Sequence, residues 1–108
     1  MALLTAQQVV VPSTTPTYGA VASTDTMIPD DRMFLIVKNA SGTADNVAVV
    51  ISGNTEFGLA APDIAVTVPI TTGERWILIT PRMADPATGL VTVTHSQTAT
   101  VTCALVRI

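Results

Sequence analysis

From Arg32 onward the chain reads as short apolar or alternating stretches divided by turn residues. "MFLIVKN" (33–39) opens on five consecutive apolar residues, a run of strand length that predicts a strand buried on both faces. "ASGTAD" predicts a turn, because Gly42 and Asp45–Asn46 tolerate the backbone angles that a turn needs. "NVAVVIS" (46–52) is the return strand, with Val47, Val49 and Ile51 on one face. After a loop over 53–63, "IAVTV" (64–68) alternates again with Ile64, Val66 and Val68 pointing one way. "PITTGE" turns the chain, "RWILIT" (75–80) is the next strand, and 81–89 is a loop with two prolines.

The closing stretch, "GLVTVTHSQTATVTCALVRI", predicts a β-hairpin. With Ser96–Thr98 as its loop, Val93 faces Val101 and Val91 faces Cys103, which makes one apolar face and leaves a threonine face behind it. A register shifted by one residue would pair valines with threonines, which burial disfavours.

Residues 1–31 differ. Pro12, Pro16 and Pro29 remove ladder donors, and Gly19 loosens the backbone. This predicts an extended N-terminal arm with short strands near Val9–Val11 and Ala20–Ala22, serving assembly more than folding. No window shows helical spacing with caps. The 18 Thr, 14 Val and 8 Ile favour pleated backbone. The expected fold is all-β: an antiparallel β-sandwich (jelly-roll or immunoglobulin-like) or small barrel over 32–108, preceded by the arm over 1–31.

Composition narrows the function. Charged residues are 12% of the chain, about half the ~25% of a typical soluble domain. A surface rich in Ser and Thr and a surface covered by partner subunits both fit that value. The net charge is −3, and Arg32, Lys38, Arg75, Arg82 and Arg107 are scattered. A phosphate-binding patch is therefore not expected, nor is a nucleic-acid partner. No apolar run approaches the roughly 20 residues of a membrane helix, and "MALLTAQQ" lacks the basic start of a secretory leader.

Candidate chemistry is sparse. His95 is the only histidine and Cys103 the only cysteine. In the predicted hairpin they lie four residues apart along the strands, ~13 Å, whereas a nucleophile and its base need about 3 Å. They read as a polar residue near a hairpin tip and a small buried hydrophobe. Asp30, Asp31 and Asp85 sit in loops and read as turn caps, without an EF-hand pattern. No acid pair stands out, each Asp and Glu lies near a turn, and the six glycines form no phosphate loop. No catalytic residue, cofactor or metal site is expected. Of the four aromatics, Phe34 reads as core, Trp76 as core or interface, and Tyr18, in a proline-flanked arm, as interface. The candidate partner-interface residues are Val9, Val10, Val11, Tyr18 and Trp76.

Three segments carry a resemblance: Pro29–Asn39 within "DTMIPDDRMFLIVKNASG", Thr67 to Trp76 with "TVP" and "GERW", and "DPATGLVTVTHS" through "ALVRI". Over roughly residues 25–108 the chain resembles small decoration, or minor capsid, proteins of tailed phages infecting actinobacteria. Asp31 stands where that pattern has Gly. The resemblance implies a non-enzymatic β-sandwich that binds the outside of an assembled capsid. Its partners would be the major capsid protein and its own copies, as a homotrimer, and its place the virion surface after assembly in the host cytoplasm. A head–tail connector or tail protein, and a soluble immunoglobulin-like binding module, are the alternatives. An enzyme fits least.

Overall fold

Alternating β-branched residues form two packed sheets in the computed structural model, which describes residues 2–10, 13–51, 57–59 and 62–108. The strands among these residues are β1 (Ala2–Leu4), β2 (Gln7–Gln8), β3 (Gly19–Ala20), β4 (Thr24–Met27), β5 (Met33–Asn39), β6 (Asp45–Val50), β7 (Ile64–Val68), β8 (Gly73–Ile79), β9 (Val91–His95) and β10 (Val101–Arg107). Sheet 1 has the order β1-β4-β9-β6-β7. Sheet 2 has the order β2-β10-β5-β8, with β3 also on β10. A 3-10 turn, Pro81–Met83, interrupts the loop before β9.

The expected all-β sandwich is what forms. The expected antiparallel pairing is incomplete, because β1 runs parallel to β4 and β2 parallel to β10. The core lies between the sheets. Met27, Val47, Val49, Val91 and Val93 project from sheet 1, and Leu35, Val37, Ile79, Val101, Cys103 and Leu105 from sheet 2. Such interleaved inner faces fill a layer about 10 Å thick.

The closing hairpin does not exist as expected. β9 lies between β4 and β6 in sheet 1, whereas β10 pairs β5 in sheet 2. The chain crosses the core between them through Ser96–Thr100, and Thr100 takes a left-handed φ of 55°. The faces predicted for both strands still hold: Val91, Val93, Val101 and Cys103 are all buried. Alternation specifies which face meets the core; it does not specify which strand lies alongside. For the same reason β6 does not return beside β5. It pairs β7 and β9 across the core.

The arm expected over 1–31 is not set apart. β1 edges sheet 1, β2 and β3 line β10 of sheet 2, and β4 is internal to sheet 1 with Asp25, Thr26 and Met27 buried. The short strands expected near Val9–Val11 and Ala20–Ala22 fall instead at Gln7–Gln8 and Gly19–Ala20. Val21 is a core residue just past β3. Pairing here follows the free edge of β10 more than β propensity. Gln7 fastens the segment: its Nε2 donates to the Thr17 carbonyl and its Oε1 accepts from the Thr17 N–H, both at 2.8 Å.

Candidate functional site

The two outer faces differ in chemistry. On sheet 1, alternation turns Thr24, Thr92, Thr94, Asn46 and Thr67 outward, with Thr67 Oγ1 donating to Asn46 Oδ1 at 3.1 Å. On sheet 2 the outward residues of β5, β8 and β10 include Phe34, Ile36, Trp76, Leu78, Ala104 and Val106, cross-strand neighbours in the ladder. One face is hydroxyl-rich and the other apolar.

Trp76 is the centre of the apolar face. It is 60% exposed and stacks on Phe34, with ring centroids 4.9 Å apart and planes inclined by 27°. Leu78, cross-strand from Phe34, is 59% exposed. Tyr18 reaches the same face from the N-terminal segment and packs on Ile36, Ala104 and Val106. Lys38 places its ammonium 4.3 Å from the Tyr18 ring centroid and 3.5 Å from Glu74 Oε1. Phe34, expected in the core, lies half-buried on this outer face, because Met33 and Leu35 occupy the inward positions of β5.

The candidate interface residues separate into two groups. Tyr18 and Trp76 share the apolar face: Tyr18 packs on the Ile36 cluster, and Trp76 is cross-strand from Ile36. Val9 and Val10 are exposed beyond the far end of β10, where the Val9 N–H donates to the Arg107 carbonyl at 2.8 Å. Val11 lies outside the described residues. β8 is one of the two edge strands of sheet 2. An edge strand leaves half its backbone donors and acceptors unpaired, a template for strand addition.

The buried chemistry lies elsewhere, at the inner face of sheet 1. His95, expected near a hairpin tip, is in the core. Its Nδ1 donates to Asp45 Oδ2 at 2.7 Å, and its Nε2 lies 4.0 Å from Asp25 Oδ2. All three side chains are out of solvent. Asp45 Oδ1 also accepts from the Gln97 N–H at 3.1 Å, and Asp25 Oδ2 from the Ala22 N–H at 3.3 Å. Asp25 Oδ1 and His95 Nε2 have no hydrogen-bond partner among the described residues. Asp25 and Asp45 do lie near turns, each two residues past a bend, but they face the core from strands and are buried. The overlooked signal was an Asp inside "TDTM" and at the head of "DNVAVV", since Asp is depleted in strands.

Cys103 shares this core. Burial, and after it the Asp25 carboxylate, push its thiol up from 9.0 to about 11. A thiol so raised is protonated near neutrality and weak as a nucleophile. Among the described residues no group of three or more His, Cys, Asp or Glu has the geometry to hold a metal ion.

Comparison with protein-family models, curated proteins and solved structures finds no match to this chain.

The nearby Asn39 is buried and fully bonded. Its Nδ2 donates to the carbonyls of Thr43 and Val68, and its Oδ1 accepts from the N–H and hydroxyl of Ser41. One amide thus ties the β5–β6 connection to the end of β7. Asn39 and the Asp25–His95–Asp45 group lie at the same end of the sandwich, where they hold the crossing connections in place.

Proposed function

We propose that this chain is a non-enzymatic structural protein of a virion, a decoration protein that binds the outside of an assembled phage capsid and stabilises it. The observation that carries the reading is the apolar outer face of sheet 2, with Trp76 and Leu78 exposed on the edge strand β8. A monomer spending its life in water gains nothing from a tryptophan held there, whereas a partner surface buries it. The opposite face, rich in threonine, suits the side left in solvent. Three further features support the reading: low charge, the segments resembling decoration proteins, and a compact sandwich able to sit in many copies on a lattice, where weak single contacts add up.

Two measurements test it. Quantitative mass spectrometry of purified virions is expected to find hundreds of copies of the chain. A dozen or fewer would favour a connector or tail protein, and none would return the question to a soluble binding module. Cosedimentation with undecorated shells is expected to be lost for the double variant Trp76→Ser/Leu78→Ser. Undiminished binding by that variant would remove the apolar face of sheet 2 from the interface.

A further inference from the structure

Three connections converge at the end of the sandwich that holds Asn39. They are Ala40 after β5, Thr71–Thr72 before β8, and Thr100 before β10. Thr102, Lys38 and Glu74 stand in one cross-strand row beside them, facing outward from β10, β5 and β8. Together these residues line a cavity of about 620 Å³, inside the ~300–1,000 Å³ range of ligand sites. The shell-binding reading does not use it.

The cavity is preformed. The Thr71 N–H donates to the Ser41 carbonyl at 2.9 Å, and the Ala40 N–H to the Thr100 carbonyl at 3.1 Å, so each connection holds the next. Thr71 and Thr100 are both left-handed, at φ 68° and 55°. β-branched residues rarely adopt that conformation, and such strain gathers at ligand clamps. The two charged groups are held as well. The Tyr18 ring lies 4.3 Å from the Lys38 ammonium, and the Trp76 indole N–H donates to Glu74 Oε2 at 3.4 Å. A site already shaped loses less freedom when a ligand enters it.

The lining selects a class of ligand. Lys38 Nζ and Glu74 Oε1 are 3.5 Å apart and both about half exposed, so the site carries no net charge. An ion entering it would be attracted by one and repelled by the other. Adjacent hydroxyls suit the pair better, one donating to the carboxylate while its neighbour accepts from the ammonium. Thr71, Thr72, Thr100 and Thr102 surround them with hydroxyls that can each donate and accept. Among the described residues, Thr100 alone of these four commits its hydroxyl proton, to the Ala99 carbonyl at 2.7 Å. Threonine methyls, Ala40 and the Lys38 stem offer apolar patches for carbon faces. Among the described residues no aromatic, leucine, isoleucine or valine side chain lines the cavity, which argues against a lipid or a flat aromatic ligand. We propose that the cavity binds a neutral saccharide, with ring hydroxyls between Lys38 and Glu74 and against the threonines. The site opens beside the Trp76–Leu78 face, so the proposal goes beyond the shell-binding reading and stands or falls separately.

The test is an NMR titration of the isotope-labelled full chain, without shells. The probes are glucose, galactose and mannose, and a linear trisaccharide of each; inorganic phosphate and trilysine are the charged controls. At least one neutral sugar is expected to give saturable shifts at the amides of Ala40, Thr71, Thr72 and Thr100 and at the Trp76 indole, which Glu74 holds. Thr102→Val removes a hydroxyl at constant shape and is expected to weaken binding roughly threefold or more. Glu74→Gln removes the charged acceptor and is expected to weaken it roughly tenfold or more. Melting curves show whether both variants are folded. Tighter binding of a trisaccharide points to a glycan chain and equal binding to a free sugar; either supports the proposal. It is overturned if no neutral sugar shifts these amides, if the variants bind like the wild type, or if phosphate or trilysine binds there instead.

Discussion

His95 and Asp45 share a 2.7 Å hydrogen bond at the inner face of sheet 1, with both side chains out of solvent. Removing one member of a buried pair leaves the other desolvated and uncompensated. Asp45→Ala is expected to cost ~3–5 kcal/mol. Asp45→Asn keeps the volume and one of the two acceptors, its amide NH2 taking the place of the other carboxylate oxygen, and is expected to cost less, ~1–3 kcal/mol. Urea denaturation of the two variants measures the difference. Equal losses would mean that the amide recovers nothing and that the negative charge is what the site requires.

Cys103 yields a prediction in pH. Its thiol titrates at about 11 in the folded chain, against 9.0 as its ordinary value. The folded state therefore holds this proton where the unfolded state has lost it. The stability contributed by the neutral thiol is complete below pH 9.0 and falls as pH rises through about 11. Cys103→Ala is expected to flatten that alkaline loss while costing ~1–2 kcal/mol of packing at neutral pH. Thiol reagents at neutral pH are expected to modify Cys103 only as fast as the protein opens, and rapid labelling of the native protein would contradict the placement.

Gly73 opens β8 against the Pro69 backbone. Gly73→Ala would bring a methyl into contact with the Pro69 carbonyl oxygen, nitrogen and carbon at once. No flexible side chain stands there to move aside. The variant is expected to lose ~1–3 kcal/mol, read as a lowered melting temperature. An unchanged melt would show that the turn shifts freely.

The N-terminal segment is expected to support folding directly. Tyr18 packs over Ile36, Ala104 and Val106, while β2 and β3 pair with β10. Deleting residues 1–20 uncovers that cluster and one edge of sheet 2, so thermal unfolding should move to lower temperature. This reverses the expectation from proline content alone, which assigned the segment to assembly. A melting temperature left nearly unchanged would restore that view.

Much of the fold was legible because alternation is local. The strands Met33–Asn39 and Ile64–Val68 coincide with their sequence-read bounds, and β6 begins one residue earlier than expected. Inward positions such as Val47, Val49, Val91 and Val93 followed from the same period. The apolar surface was only partly legible. Trp76 was read as core or interface and Tyr18 as interface, each singly, but nothing in their spacing showed that both lie over the outer face of sheet 2, around Ile36. The buried Asp25–His95–Asp45 group was not legible, since its members come from β4, β9 and β6 and are distant in sequence.

The sequence by itself determined the strand class, the approximate strand positions from Met33 onward and the inward turn of most of their valines and isoleucines, because a two-residue period and turn chemistry act between near neighbours. Tertiary structure decided which strands pair, that β9 and β10 part to opposite sheets, and that the N-terminal segment lines the edges of both. Those choices depend on which free edge and which apolar layer each strand meets after the chain has collapsed. Two strands with the same alternation are interchangeable until the core between them is filled.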